Sequence, residues 1–495
     1  MLKLLAFDYG ASSGRAILGT FDGERLTLDE VHRFPNDPVT VNGTFYWDIL
    51  RLFHEMKMGI LKCVQRGDGD IAGIGVDTWG VDFGLLGASG ELLGNPVHYR
   101  DARTEGMIEE ACKIVPKKEI YERTGIQFMK FNTIYQLLSM KLNNSPILEK
   151  AKTMLLVPDL LNYFLTGEKI TEYTIASTTQ MLDPRTGGWA KDLLEKLGIP
   201  TNILTDIVDT GTVIGKVNRY IKEELNVGDI PVIAVAGHDT GSAVVSVPAK
   251  GDKFAYLSSG TWSLLGVELQ KPIINEAAFE LDYTNEGGYN RTVRFLKNIM
   301  GLWILQECKR AWDKRGEVYS YDDLERMADE EAKPFAAFID PDDDMFYSPG
   351  NMPEKVMEFC RKTGQEVPET KGAIVRCVLE SLALKYNKTI KGLEKVVGYE
   401  IPVLHIVGGG TKNIVLCRYT ADACGKTVVT GPVEATSVGN LLCQLMALGE
   451  ISGLKEAREL VEKSFPTQVY TPQNVDAWKE AYSKFEKILE LNKNN

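Results

Sequence analysis

Asp8 ends one short apolar run and Arg15 opens the next, with Gly10, Ala11, Ser12, Ser13 and Gly14 between them in the stretch LLAFDYGASSGRAIL. Residues of so little bulk let backbone N–H groups converge on an anion. Arg15 adds a fixed cationic fork, and Asp8 is the type of group that holds a divalent cation through its water shell. Together these are the parts of a site for a triphosphate and a metal. A plain β-hairpin with a Gly/Ser turn accounts for the same residues.

A second acid stands in comparable surroundings. The run VIAVAGHDTGSAVVSV, Val232 to Val247, reads as a buried strand ending at Gly237, His238, Asp239 and Thr240, followed by a helix of small residues. Asp239 at such a turn is placed either to cap the helix or, facing a cleft, to accept a substrate proton. Arg100 and Asp101, in YRDART, read as sugar-binding groups or as plain helix-entry residues.

Two familiar nucleotide loops are absent. Gly425-Lys426-Thr427 has the tail of a P-loop but Thr420 where its first glycine belongs, and Gly408-Gly409-Gly410 has Asn413 where a dinucleotide fingerprint needs its last glycine.

The elements that position these groups follow from the apolar pattern. Leu4–Leu18 predicts strand, turn and strand, with a further strand over Arg25–Arg33, a helix over Trp47–Val64 and a buried strand over Ile71–Asp77. Asp8 and Asp77 then sit at strand ends, where ligands gather on α/β sheets. The initial pattern returns at FAYLSSGTWSLLGV, Phe254 to Val267, so the chain reads as internally duplicated. Phe295–Asp313 predicts an amphipathic helix carrying Asn298 and Gln306. Lys371–Gly398 predicts a long core helix, and Val403–Val407 a strand running into the triple glycine.

Composition narrows the function. The 495 residues are 44% hydrophobic and 25% charged, ordinary for a globular protein, and carry a net charge of −12. That charge disfavours nucleic acid and anionic lipid as general partners, so phosphate must be met by a local cluster. No apolar run approaches the length of a membrane span, and the start of the chain does not read as a signal peptide. Eight scattered cysteines without a C-x-x-C pair suit reduced thiols in the cytoplasm, with Cys360 and Cys377 bridged only if the fold joins them. Five histidines without H-E-x-x-H make a zinc site improbable.

The motifs DYGASSGR, GVDTWGVDF, YRDART, AGHDT, LSSGTW, TNEGG, FLKNIMGLW, VGGGTKN and EATSVGN together resemble the FGGY carbohydrate kinases, nearly end to end. The resemblance implies an α/β fold of two actin-like, ribonuclease-H-like lobes around a central cleft. Residues 1–247 would form the sugar-binding lobe with the base, and 248–495 the nucleotide-binding lobe. ATP and Mg2+ would be cosubstrates and a ketose the acceptor, with no obligate protein partner. It implies Asp239 as the base at the ketose 1-hydroxyl, and Gly80, His238, Asp239, Thr240 and Asn298 around the sugar. Ala11, Ser12, Ser13, Gly14, Arg15, Thr261, Gln306 and Gly410 would contact ATP, with Asp8 near the magnesium through water. An ATP clamp on the same lobes without a sugar substrate is the reading from another class. It needs the bends but neither Asp239 nor the TWGVD loop.

Overall fold

The computed structural model describes residues 1–493. The chain folds into two compact units: Met1–Pro248, Glu268–Phe295 and Ala435–Phe465 in the first, and Ala249–Val267, Leu296–Glu434 and residues from Pro466 onward in the second. The expected linear division at 247/248 therefore differs from the observed one, in which two later segments pack with the first 248 residues.

In the first unit, strands β1 (Leu2–Tyr9), β2 (Ser13–Phe21), β3 (Leu26–Pro35), β4 (Ile71–Thr78), β5 (Thr212–Lys216) and β6 (Pro231–Ala234) form one sheet in the order β5-β6-β4-β1-β2-β3. β1 runs antiparallel to β2 and parallel to β4. On one face lies helix α1 (Ile49–Gln65), whose start is capped by the Asp48 side chain accepting from the Arg51 N–H. Its Leu52, Met56, Ile60 and Cys63 recur at three or four and bury against the sheet. A Cβ on Gly59 would stand 2.8 Å from the Ala16 Cβ, so the helix and sheet meet there without room for a side chain.

The other face explains why a late segment belongs to this unit. Helix α3 (Asp239–Val245), which follows α2 (Tyr173–Ser177) in the chain, packs against a C-terminal helix, residues Ala435–Ala447. Leu441, Leu442 and Leu445 of that helix share a core with Leu4, Ala6, Ile17 and Ile233. Its Gln444 donates to the Leu5 carbonyl at 3.1 Å.

The second unit repeats the plan. β7 (Ala255–Ser259) and β8 (Trp262–Leu269) are an antiparallel hairpin, followed by β9 (Val293–Met300), β10 (Val403–Val407), β11 (Thr427–Thr430) and β12 (Val469–Tyr470). β7 is parallel to β10, and these strands lie in the order β9-β8-β7-β10-β11-β12 within a sheet of seven, whose remaining strand is Thr284–Gly287 at the β9 edge. β7, β8 and β10 thus stand to one another as β1, β2 and β4 do, which is the duplication expected from sequence. Helix α5 (Lys371–Val397), after α4 (Trp303–Asp313), is the expected core helix and ends at Gly398 in the left-handed conformation, φ 76°. It precedes α6 (Ile414–Cys424), and Ala435–Ala447 is α7.

The expected helix over Phe295–Asp313 is corrected by the structure. Residues 293–300 are strand β9, and α4 begins only at Trp303. Gly301 divides them: its N–H donates to the Thr261 carbonyl, and a Cβ there would stand 2.7 Å from the Trp262 carbonyl carbon. The apparent helical spacing joined a strand buried on both faces to the first turns of a helix.

All eight cysteines are thiols. Cys360 and Cys377 do lie side by side, both buried, their thiols hydrogen-bonded rather than bridged. Among the described residues no helix is long and apolar enough to cross a membrane.

Candidate active site

At the first bend Gly10 donates its N–H to the Ser13 carbonyl at 3.0 Å, and Asn36 donates its side-chain amide to the Gly10 carbonyl at 2.9 Å. The Gly10 N–H is therefore occupied. Gly14 lies in β2 against the Phe34 ring, where a Cβ would stand 2.2 Å from the ring edge. Arg15 faces Asp8 across the hairpin, its Nε 3.7 Å from Asp8 Oδ2.

Asp8 and Asp77 are paired across the parallel strands β1 and β4, both buried. Each is held by α7: Ser437 Oγ donates to Asp8 Oδ2 at 2.9 Å, and Asn440 Nδ2 donates to Asp77 Oδ2 at 2.6 Å. Burial, and then the charge of Asp8, push the Asp77 carboxyl well above the usual carboxylate range. The two carboxyls stand side by side, and Asp77 Oδ1 is buried without a hydrogen-bond donor. Among the described residues no three His, Cys, Asp or Glu side chains gather into a metal cage. That donor set fits Mg2+, which keeps most of its waters and takes one or two carboxylates.

β4 leads into a strained loop. Val81, a β-branched residue, has φ 69°, and Thr178 Oγ1 accepts its N–H at 3.1 Å. A Cβ on Gly80 would stand 3.1 Å from the same Thr178 side chain, a tight approach. Asp82 anchors the loop by accepting from Trp47 Nε1, Trp79 Nε1, the Tyr99 N–H and Gln136 Nε2. Asp101 accepts the Phe45 and Arg103 N–H groups, which is the plain helix-entry role.

The loop after β6 runs beside the end of β4, with the Thr78 N–H donating to the Gly237 carbonyl at 2.9 Å. Buried Glu172 fixes this loop from below, accepting the N–H groups of Gly237, Thr174 and Ile175. Thr174 Oγ1 in turn accepts the His238 N–H at 3.2 Å. His238 occupies the cap position of α3, and Asp239 is the first helical residue. Asp239 is thus not the N-cap. Its Oδ1 accepts from the Thr240 N–H and hydroxyl, at 2.5 and 3.1 Å, and the carboxylate stays partly exposed while His238 and Thr240 are buried.

Behind His238 stands Arg294, fully buried, with its Nη2 3.0 Å from His238 Nδ1 and its Nε donating to the Gly287 carbonyl. Glu286 balances the charge, its Oε2 3.1 Å from Arg294 Nη2. His238 Nδ1 also lies 3.3 Å from Glu286 Oε2, and its Nε2 lies 3.4 Å from Asp239 Oδ1. Arg294, Glu286, Ser437 and Asn440 are absent from the residues expected from sequence, which placed Asp77 only as a strand-end acid beside Asp8. TNEGG and EATSVGN carried three of them as motif letters, without a chemical role.

The second unit gathers another group. Thr261 Oγ1 donates to Gln306 Oε1 at 3.2 Å, and the bend at Gly260 and Thr261 is tied to the start of α4 by the Leu302 and Trp303 N–H groups. Gly410 reaches the same hairpin: a Cβ on it would stand 2.0 Å from Ser259 Oγ. Gly408, with φ 87°, gives the turn that brings it there. Thr261, Gln306 and Gly410 are therefore neighbours of one hairpin. Asn298 lies half-buried on strand β9 of the same unit.

Residues 3–246 match the N-terminal domain of the FGGY family of carbohydrate kinases, and residues 255–448 its C-terminal domain. The rhamnulokinase of Bacteroides thetaiotaomicron is 46% identical over 98% of this chain and 99% of its own. That of Oceanobacillus iheyensis is 44% identical over 94% and 97%. Among solved structures, a ligand-bound xylulose kinase from Lactobacillus acidophilus superposes with a TM-score of 0.82 at 17% identity, covering 99% of this chain and 98% of that one. Plasmodium falciparum glycerol kinase with ADP gives 0.80 at 18% identity, covering 99% and 98%. The fold of each unit is accordingly the actin-like, ribonuclease-H-like one.

Proposed function

Since the chain belongs to the FGGY family of carbohydrate kinases, we propose that it phosphorylates L-rhamnulose at its 1-hydroxyl with ATP, yielding L-rhamnulose 1-phosphate and ADP. The observation that carries this reading is the near-full-length similarity to rhamnulokinases, in a chain that presents a partly exposed carboxylate at the start of α3.

Phosphoryl transfer asks a protein for position and charge neutralisation rather than covalent chemistry. We assign the phosphates of ATP to the backbone of Ala11 to Gly14 and to Arg15, and the nucleoside to Thr261, Gln306 and Gly410. Asp8 and Asp77 would hold Mg2+ through water, where it would offset phosphate charge. Gly80, His238, Thr240 and Asn298 would bind the sugar. Asp239 accepts the proton of the 1-hydroxyl as its oxygen bonds to the γ-phosphorus and the bond to the bridging oxygen of ADP breaks. The Thr240 N–H and the His238 ring orient the carboxylate for that task. Reduced thiols support a cytoplasmic location.

The test is an ADP-release assay against L-rhamnulose, L-fuculose, D-xylulose and glycerol, with Asp239→Asn alongside. Preference for L-rhamnulose, with turnover in the variant lower by about 10²–10⁴-fold and sugar binding kept, is the expected result. Preference for another ketose would replace the substrate, and sugar-independent hydrolysis untouched by the substitution would leave an ATP clamp.

A further inference from the structure

We propose that the first unit carries a second small-molecule site, a cationic pocket that takes a ketose phosphate and acts on the loop bearing the catalytic base. The pocket is a cavity of about 680 Å³ walled by Pro184–Gly188, Gln270–Pro272, Ile274, Tyr173, Arg291 and Val293, within the range that holds small ligands. Arg185, Lys271 and Arg291 face it, and no carboxylate is part of its wall among the described residues. In a chain of net charge −12, such a concentration of cations is local by construction.

Two carboxylates pair with the arginines of the wall, against three cations in all. Asp209 pairs with Arg291 Nε. Asp183 lies 3.8 Å from Arg185 Nη1 and is shared with Arg123. Thr186 and Gln270 add a hydroxyl and an amide suited to sugar hydroxyls. Asn290 and Arg291 hold φ of 55° and 60°, a conformation that side chains other than glycine adopt at a cost. The Arg291 guanidinium lies over the Tyr173 ring, 4.2 Å from its centroid, while Nη1 donates to the Gly187 carbonyl.

Tyr173 connects this pocket to the base. It is the first residue of α2, and its ring packs so closely on Gly287 that a Cβ there would stand 2.6 Å from it. The residues on either side of it, Glu172 and Thr174, hold the Gly237 and His238 N–H groups. Gly287 accepts from Arg294, which contacts His238. A phosphate dianion between Arg185 and Lys271 would draw Arg291 from Asp209 and Tyr173, and thereby shift the strut that sets His238 and Asp239.

Isothermal titration calorimetry of the full chain with D-fructose 1-phosphate, inorganic phosphate and D-fructose tests the site, in the wild type and in Arg185→Gln/Lys271→Gln. The sugar phosphate should bind the wild type, with affinity at least about tenfold lower in the double variant, and D-fructose should give no difference between the two. Equal affinity in both proteins overturns the site, and inorganic phosphate binding as tightly as the ester overturns the assignment to a sugar phosphate. The kinetic arm rests on the kinase reading, whereas calorimetry does not, so the two can fail separately. Sugar phosphate should change the KM for the acceptor ketose about threefold or more in the wild type and leave the double variant unmoved. Binding without that change overturns the coupling.

Discussion

Four donors meet at Asp82, and still its burial pushes the carboxyl up to about 6. In the unfolded chain it returns to about 3.9. The folded form therefore binds the proton more tightly, and stability falls as pH rises from the lower value through the higher, by roughly 2–3 kcal/mol. Thermal melts of wild type and Asp82→Asn should show the wild type gaining relative to the variant as pH drops from 7 to 4.5; parallel curves would remove Asp82 as the cause. Arg294 gives a second prediction at this scale, because it acts through His238 and not on the sugar itself. In Arg294→Met/Glu286→Gln, which removes both buried charges together, kcat should fall about tenfold with the melting temperature little changed. Arg294→Lys should recover part of the loss, and a kcat equal to wild type would deny Arg294 its positioning role. The sequence showed Asp8, Arg15 and Asp239 plainly, because each sits beside a cluster of small residues at the end of an apolar run. It hid the roles of Arg294, Glu286 and Asn440, since what each does depends on a partner 48 or more residues away.

Helices α3 and α7 cross at their closest where Gly439 faces the Ser242 carbonyl, and a Cβ there would stand 1.7 Å from that oxygen. Gly439→Ala must push the helices apart, at about 1–3 kcal/mol. Because α3 begins at Asp239 and α7 carries Ser437 and Asn440, the same substitution should lower kcat along with the melting temperature. Unchanged turnover in a destabilised variant would separate packing from catalysis here. Helical spacing within α1 was legible because it presents one apolar face over several turns, and within α5, buried all round from Ile374 to Asn387, because apolar residues recur at three or four over its whole length. Strand β9 was not legible, because it is buried on both faces and lacks the alternation that marks a half-exposed strand.

At the scale of the molecule, the first unit is completed by segments far along the chain. A fragment ending at Pro248 would expose the sheet face that α7 covers and leave Asp77 buried beside Asp8 without its Asn440 donor. It should therefore fail to give a cooperative melt or a soluble product, and a fragment as stable as the whole chain would contradict this division. The duplicated hairpins were visible in sequence, whereas the interleaving of the units was not, because compactness depends on contacts that local pattern does not encode. The eight thiols have a kinetic consequence. Burial holds Cys443 on α7 up to about 12 and Cys63 on α1 up to about 11, so in the folded chain they are neither ionised nor accessible to an alkylating reagent. The chain thus carries its own clocks: the speed at which each thiol becomes modified is the speed at which its helix lifts from the sheet.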